Sequence, residues 1–283
     1  MYRILRNAVL LLLTFCLAAS LHAQTAPARV PYGNNPAAGH YLQVGDARIY
    51  YEVYGKGQPF VLLHGGVYGY IDEFEPFIPR LAEQYQVICI ATRGHGKSGA
   101  GSAPFTYRQR AEDAYAVIRS LTKDSVTVLG FSDGGYSAMK LAALHPETVK
   151  KLIVIGAGDF APNNNRQKAA YTREDLLKNS GGFFQQRLAL MPEPDQWNDI
   201  LSRLNKLYNE DFMSTETFSL IRCPTLVLSG DRDDYQPVES VLRCARAIPQ
   251  SRLSIIPGCS HVVFYCNFPA VWEAMRPFLA LKP

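Results

Sequence analysis

A serine lies between two glycines in the segment Gly130-Phe131-Ser132-Asp133-Gly134, directly after an apolar, β-branched stretch and before a helical pattern. Gly-x-Ser-x-Gly at such a junction is typical of a nucleophile elbow, a tight turn that exposes the serine hydroxyl above a sheet. Small residues are needed at both glycine positions because a Cβ there would crowd the turn. The spacing therefore predicts that Ser132 is a nucleophile.

A base and an acid are expected downstream of this serine. A serine hydroxyl is a poor nucleophile at neutral pH, so it needs an adjacent base, and the base needs an orienting carboxylate. With this turn the order along the chain is serine, acid, histidine, with the last two after strand ends. His261 is the only histidine beyond His145 and is the predicted base. The loop after the strand pattern at 225–229 holds three aspartates, of which we choose Asp233 and place Asp231 second.

Amide donors are also required, because the tetrahedral intermediate of acyl transfer carries an oxyanion. The backbone N–H of Asp133, directly after the serine, is the first expected donor. The second is expected from the glycine-rich loop at 63–69, where Gly66 is our choice and Val67 the alternative. His64 in the same loop is expected to form a hydrogen bond within the loop rather than to act as a base.

The elements that must position these residues alternate between strand and helix. Strand patterns occur at 41–44, 47–53, 59–63, 86–91, 125–129, 152–155, 225–229 and 252–256, and helical patterns at 74–84, 107–122, 134–144, 238–248 and 269–279. This alternation predicts an α/β fold with a mostly parallel central sheet flanked by helices. The first two strands are separated by Gly45-Asp46 and predict an antiparallel hairpin at one edge.

Residues 159–220 interrupt the alternation after the sixth strand. They contain no clear strand pattern and are too numerous for an ordinary loop. We therefore predict a helical cap over residues 159–220, inserted into a core formed by residues 39–158 and 221–283. The cap supplies large side chains that either line an apolar pocket or pack against the sheet: Tyr171, Phe183, Phe184, Met191, Trp197, Tyr208 and Phe212. Trp197 and, in the glycine-rich loop, Tyr68 are predicted to contact substrate.

The chain resembles the α/β-hydrolase superfamily from about residue 41 to residue 279. The likeness is carried by Leu62-Leu63-His64-Gly65-Gly66, Arg93-Gly94-His95-Gly96-Lys97-Ser98, Gly130-Phe131-Ser132-Asp133-Gly134-Gly135, the Gly230-x-x-Asp233 segment with Pro237, and Ser260-His261. The resemblance implies an acid at the last position of Gly-x-x-Asp, which supports Asp233. Thr92 departs from the pattern, since many members have an aspartate before the Arg-Gly-x-Gly loop.

The Ser-Asp-Gly-Gly elbow is similar to that of valacyclovir hydrolase-type α-amino-acid ester hydrolases. That resemblance implies that the Asp133 carboxylate holds the ammonium group of a substrate, one carbon from the scissile carbonyl. Alternatively, Asp133 caps the following helix or bonds the neighbouring loop, where an anion is also favourable. The sequence leaves both roles open.

The first residues are typical of a secretory signal: a basic start, an apolar run at 8–19 and a small residue at Ala23. We expect a signal peptide at 1–23 and a flexible leader at 24–38, rich in Pro, Gly, Ala and Asn. The apolar run is short for a membrane anchor, the alternative interpretation. The mature chain is thus expected to be exported, to the periplasm or the extracellular space, without a stable membrane span.

The remaining composition excludes several classes of partner. The formal net charge of +4 on 283 residues falls to +2 without the two arginines of the leading segment, and no basic block stands out, so nucleic acid is not an expected partner. Export favours disulfides, for which Cys259 with Cys266 and Cys223 with Cys244 are both candidates, while Cys89 is expected to stay free. No Cys-x-x-Cys spacing occurs. We therefore expect no metal and no cofactor.

Together these patterns predict a secreted serine hydrolase that cleaves a small carboxylic ester, or a related acyl bond, through an acyl-enzyme. The alternatives on the same site are carbon–carbon bond hydrolysis, acyl transfer and cofactor-free perhydrolysis, because a fold does not determine its reaction. A ligand-binding protein without activity is a further alternative. The full set of serine, base and acid argues against it.

Overall fold

Eight strands form one sheet within the described residues, 30–159 and 168–281, of the computed structural model. They are β1 (Gly39–Val44), β2 (Ala47–Tyr54), β3 (Gln58–Leu63), β4 (Tyr85–Ile90), β5 (Val126–Phe131), β6 (Val149–Ile155), β7 (Thr225–Gly230) and β8 (Ser251–Ile256). Their order in the sheet is β1-β2-β4-β3-β5-β6-β7-β8. β1 pairs antiparallel with β2 and β2 antiparallel with β4, whereas all later pairs are parallel. The predicted edge hairpin and parallel sheet are confirmed.

Helices cover both faces of this sheet. In chain order they are α1 (Ile78–Ala82), α2 (Tyr107–Leu121), α3 (Asp133–Leu144), α4 (Arg173–Leu190), α5 (Trp197–Glu210), α6 (Thr215–Phe218), α7 (Val238–Ala247), α8 (Val263–Cys266) and α9 (Phe268–Leu279). Three of them, α4, α5 and α6, lie between β6 and β7, in the segment predicted as a cap. None of the helices in the described ranges is both long and apolar enough to cross a membrane.

The central strands are buried on both faces because helices pack on both sides. Alternate residues of neighbouring strands face opposite clusters. Val61 and Val128 belong to the apolar cluster that includes α2 and α3, while Leu62 and Leu129 belong to the cluster that includes α1 and α9. This packing fixes the carboxyl ends of the parallel strands, from which the functional loops emerge.

The helix predicted at 74–84 is wrong in extent. A 3₁₀ turn spans Ile71–Phe74, and the α-helix that follows is only Ile78–Ala82. Pro76 and Pro79 explain the break, because proline lacks an N–H and disfavours helical geometry in the residue before it.

The predicted signal peptide, 1–23, and residues 24–29 of the predicted leader lie outside the described residues, as do residues 160–167 of the predicted cap. The end of the predicted leader contacts β2. Gly33 and Asn35 donate backbone hydrogen bonds to the two carboxylate oxygens of Glu52, at 2.8 and 2.9 Å, and Ala38 is buried. These contacts join residues 33–38 to the core, and their partner in β2 has no local sequence signal.

Candidate active site

The elbow at Ser132 has the strained geometry that its sequence predicts. Ser132 joins β5 to α3 with φ of 51°, in the left-handed region that non-glycine residues rarely adopt. A Cβ at Gly130 would collide with the backbone of Gly134, and one at Gly134 with the backbone of Leu63. The Ser132 N–H donates to the carbonyl of Ile155 on β6 at 2.8 Å, which holds the turn above the sheet.

His261 and Asp233 lie next to this serine. The distance from Ser132 Oγ to His261 Nε2 is 2.9 Å, and His261 Nδ1 lies 2.8 Å from Asp233 Oδ2. A carboxylate only accepts hydrogen bonds, so Nδ1 carries the proton and Nε2 is left to accept one from the serine. Asp233 is buried and is oriented by the backbone N–H groups of Tyr235 and Gln236, at 2.9 and 2.8 Å.

Asp231, the second choice for the acid, occupies a different place. It is exposed, and its Oδ1 accepts the Gly258 N–H at 2.6 Å, so it fixes the turn after β8. In the same turn a disulfide joins Cys259 to Cys266, while Cys223, Cys244 and Cys89 are free and buried. Of the two candidate pairings, the structure therefore contains the one that flanks His261.

The glycine-rich loop contacts the elbow at Gly66. A Cβ at Gly66 would lie 2.7 Å from Asp133 Oδ2, so the loop backbone and the first residue of α3 are adjacent. The Gly69 N–H donates to the Gly66 carbonyl at 2.5 Å and closes the loop. Asp133 is the first residue of α3, where backbone N–H groups have no intrahelical partner and attract negative charge. Gly66 therefore lies next to Asp133, which directly follows the nucleophile, and the role of their backbone N–H groups as oxyanion donors stays a prediction.

His64 is buried and forms a hydrogen bond within the loop. Its Nδ1 contacts the Gly65 carbonyl at 2.7 Å, and its Nε2 accepts the Thr92 N–H at 2.9 Å. Nε2 is therefore unprotonated and Nδ1 donates. Burial lowers the pKa of His64 well below its usual value and that of neighbouring His95 to about 4, so both rings are neutral near pH 7. Thr92, which departs from the family pattern, contacts both rings: its backbone N–H donates to His64, and its hydroxyl lies 3.3 Å from His64 Nε2 and 3.2 Å from His95 Nδ1.

The Asp133 side chain is already paired inside the protein. Arg110 Nη1 lies 2.8 Å from Asp133 Oδ2, the Tyr208 hydroxyl donates to the same oxygen at 2.7 Å, and the Tyr107 hydroxyl lies 3.4 Å from Oδ1. Burial alone would lower the pKa of Arg110, but the attraction of Asp133 raises it above its ordinary value. The carboxylate is therefore already engaged by internal partners, which weighs against a role in holding a substrate ammonium group. Its partners lie on α2 and α5, not at the helix N-terminus.

The model of the family described as the alpha/beta hydrolase fold matches residues 58–193. The chain has the α/β-hydrolase fold. It is 27% identical to the 2-hydroxy-6-oxo-6-(2'-aminophenyl)hexa-2,4-dienoic acid hydrolase of Metapseudomonas resinovorans over 245 residues, covering 78% of this chain and 83% of that one. It is 24% identical to the serine hydrolase BPHL of Mus musculus over 232 residues, 78% of this chain and 79% of that one. The esterase EaEST from Exiguobacterium antarcticum superposes with a TM-score of 0.69 at 28% identity, covering 86% of this chain and 99% of the esterase. The chain is thus an α/β-fold hydrolase.

The predicted substrate-contacting aromatics of this hydrolase lie at different depths. Tyr68 is 46% exposed and packs against Phe184, with 4.9 Å between ring centroids. Trp197 is buried and also packs against Phe184, with 5.3 Å between ring centroids, and it lines a narrow cleft with Val67, Phe184, Arg187, Met191 and Leu204. Tyr208 binds Asp133, and Tyr171 and Phe212 pack against the larger core cluster. Of the large side chains predicted for the cap, only Phe184, Met191 and Trp197 line this cleft near the glycine-rich loop.

Two polar residues of the hydrolase site were missed from the sequence. Arg110 lies on the buried face of α2, three residues after Tyr107, and a charged residue on an otherwise apolar helical face is a signal that could have found it. Glu73 lies in the 3₁₀ turn after the glycine-rich loop and accepts the Gly65 N–H at 2.5 Å. Nothing in its local sequence distinguishes it from Asp72 or Glu75. Among the described residues, no group of three or more His, Cys, Asp or Glu side chains is placed to hold a metal ion.

Proposed function

We propose that this hydrolase cleaves a small carboxylic ester through a Ser132–His261–Asp233 triad and an acyl-enzyme. The observation that carries the proposal is the hydrogen-bond chain from Ser132 Oγ to His261 Nε2, 2.9 Å, and from His261 Nδ1 to Asp233 Oδ2, 2.8 Å. A nucleophile, a base and an orienting acid in this geometry form the arrangement that acyl transfer requires.

In the first half-reaction, His261 Nε2 takes the proton of Ser132 as Oγ forms a bond to the carbonyl carbon of the ester. The carbonyl oxygen becomes an oxyanion, for which the backbone N–H groups of Asp133 and Gly66 are the proposed donors. Collapse of this intermediate breaks the bond to the alcohol oxygen, which receives the proton from His261. Asp233 stabilises the imidazolium formed on the way.

In the second half-reaction, water takes the place of the alcohol. His261 accepts one proton from the water as its oxygen attacks the acyl carbon, and returns the proton to Ser132 Oγ when the acid leaves. The products are one carboxylic acid and one alcohol for each ester and water consumed. No redox partner or metal enters this balance.

Carbon–carbon bond hydrolysis is the second candidate. The relative from Metapseudomonas resinovorans is a hydrolase of a hexadienoic acid, and it is similar to this chain over most of both lengths. The same nucleophile and base would serve either reaction, so the difference lies in the substrate that the site accepts.

Export of the hydrolase to the periplasm or beyond is also part of the proposal. It is supported by the signal pattern at 1–23 and by the disulfide between Cys259 and Cys266, which favours an oxidising compartment. Cell fractionation of the full-length chain, with sequencing of the mature N-terminus, tests this point. Recovery of an intact N-terminus in the cytoplasm would contradict it.

Fluorophosphonate labelling combined with a substrate panel tests the catalytic proposal. We expect covalent labelling at Ser132, and a loss of roughly 10³-fold or more in p-nitrophenyl ester hydrolysis for Ser132→Ala. Ser137→Ala is a matched control, because Ser137 lies one turn further along α3 and bonds the Asp133 carbonyl at 2.9 Å. Full activity of Ser132→Ala would refute the triad. Turnover of vinylogous diketones without ester turnover would favour the second candidate.

A further inference from the structure

Glu73 reaches back to the glycine-rich loop that the proposed mechanism uses. Its Oε1 accepts the backbone N–H of Gly65 at 2.5 Å, and Gly65 directly precedes Gly66, a proposed oxyanion donor. The residue as a whole is half-buried, and its carboxyl group is enclosed. The proton-transfer steps between Ser132 and His261 leave this carboxyl group unused.

The surroundings of this carboxyl group link it to the nucleophile and the base. A Cβ built at Gly65 would lie 3.1 Å from the Phe131 ring and 3.3 Å from Glu73 Oε2, so the ring and the carboxyl both pack against Gly65. Phe131 precedes Ser132, and its ring centroid lies 5.1 Å from that of His261. A change at Glu73 is therefore transmitted to the loop amides and to the wall of the site through direct contacts.

Charged and polar groups from four elements surround Glu73. Asp72, its neighbour in the same 3₁₀ turn, pairs with Arg187 of α4 at 2.7 and 2.8 Å, and Asp133 of α3 acts on Glu73 through its charge. From α8, the Tyr265 hydroxyl bonds the Glu73 carbonyl oxygen at 3.2 Å. The hydrogen bonds of Arg187 go to Asp72 and not to Glu73. Among the described residues, the Glu73 carboxyl group is therefore held by the Gly65 amide.

We propose that Glu73 is a positioning residue: its carboxyl group holds the Gly65 amide so that the following Gly66 and Val67 amides face the oxyanion. This inference rests on the proposed function, because it assigns a role within the same acyl-transfer site. It adds an ionisable group that the triad does not include.

The carboxyl group of Glu73 is neutral near pH 7 because it is enclosed. Burial raises the pKa of Glu73 to about 8, the Gly65 amide and Arg187 oppose that rise, and Asp72 and Asp133 add to it. Below pH 8 the group is therefore mostly uncharged. Above pH 8 it ionises and places a negative charge beside the atom where the oxyanion develops, which disfavours the transition state. Activity is expected to fall as the pH rises through the pKa of Glu73.

The test is the pH dependence of kcat and KM for a neutral p-nitrophenyl ester, measured on the full chain. Wild type is expected to lose activity on the alkaline side with a midpoint near pH 8. Glu73→Gln keeps an acceptor for the Gly65 amide, so its kcat at pH 7 should stay within about 3-fold of wild type and the alkaline loss should disappear. Glu73→Ala should lower kcat by about 10- to 100-fold with little change in KM. Glu83→Gln, an exposed residue at the end of α1, is the matched control and should reproduce the wild-type profile.

The outcomes separate this inference from the proposed function. An alkaline loss that persists unchanged in Glu73→Gln would overturn the role of Glu73, provided that wild type is labelled by fluorophosphonate at Ser132. Wild type that is neither labelled nor active would refute the triad and this inference together. Because Glu73→Gln is nearly isosteric, the test does not depend on whether the alanine variant folds.

Discussion

Removing the charge of Asp133 should destabilise the protein rather than change its substrate preference. The side chains of Arg110 and Asp133 are 1% and 8% exposed, and Nε and Nη2 of Arg110 have no hydrogen-bond partner among the described residues. Asp133→Asn would therefore leave a guanidinium charge buried without its counter-charge. Breaking a buried ion pair on one side costs about 3 to 5 kcal/mol, so we expect a loss of that order in the free energy of unfolding.

The assay is urea unfolding of Asp133→Asn, Arg110→Met and the double variant. The double variant should regain a large part of the lost stability, because a neutral pair carries no unpaired buried charge. Glu273→Gln serves as the control. Its partner Arg276 is three residues away on α9, both groups reach solvent, and the free energy of unfolding should hardly change.

Kinetics with paired substrates decide between this account and amine binding. If Asp133 held a substrate ammonium group, Asp133→Asn would raise KM for aminoacyl esters far more than for matched neutral esters. We expect the two KM values to change in parallel, because the carboxylate is already bound by Arg110 and Tyr208. Wild-type stability together with a selective rise in KM for the aminoacyl ester would refute the reasoning.

Three further predictions concern the loop, the disulfide and pH. Gly66→Ala places a methyl group 2.5 Å from the Tyr208 hydroxyl, so ester kcat/KM should fall at least about 10-fold, whereas Gly182→Ala, with open space around it, should leave kcat/KM unchanged. Cys259→Ser with Cys266→Ser removes the disulfide and should lower the free energy of unfolding by about 2 kcal/mol, measured by thermal unfolding. A reductant should lower the stability of wild type by the same amount, and a different result would contradict this prediction. The free energy of unfolding should fall between pH 5 and 8 by roughly 3 to 5 kcal/mol, because folded Glu73, with a pKa of about 8, keeps a proton that the unfolded chain releases near pH 4.5. Glu73→Gln should remove that slope.

The elbow and the sheet could be predicted because their signals are local. Gly130, Ser132 and Gly134 satisfy one turn within five residues, and the buried strands are continuous apolar runs. The order of serine, acid and histidine along the chain then indicated His261 and one loop with three aspartates, among which the family resemblance supported Asp233. The fold brings the side chains of Asp233 and His261 together. The prediction of a helix at 74–84 was wrong for a local reason too, because the two prolines in this range interrupt the helix despite its apolar periodicity.

The electrostatics of the site could not be predicted in the same way. The partners of Asp133 come from α2 and α5, which lie 23 and 75 residues away along the chain. The carboxyl group of Glu73 is enclosed only after the glycine-rich loop has folded over it. Neither contact leaves a periodic or spaced pattern, so the sequence supported only a choice between roles for Asp133 and gave no reason to consider Glu73.

The carboxyl groups of Asp133 and Glu73 both lie near the proposed oxyanion site, where a negative charge on either group would disfavour the transition state. A unit negative charge about 5 Å from the oxyanion would cost about 3 kcal/mol at an effective dielectric constant of about 20, which slows the reaction on the order of 100-fold. Asp133 meets this problem with Arg110, whose charge does not change over the accessible pH range. Glu73 meets it through burial, which keeps the group protonated only below a pH of about 8. Of the two groups, Glu73 is therefore the one through which alkaline pH acts on the reaction, and a variant that removes its ionisation should extend activity to higher pH while the Arg110–Asp133 pair remains intact.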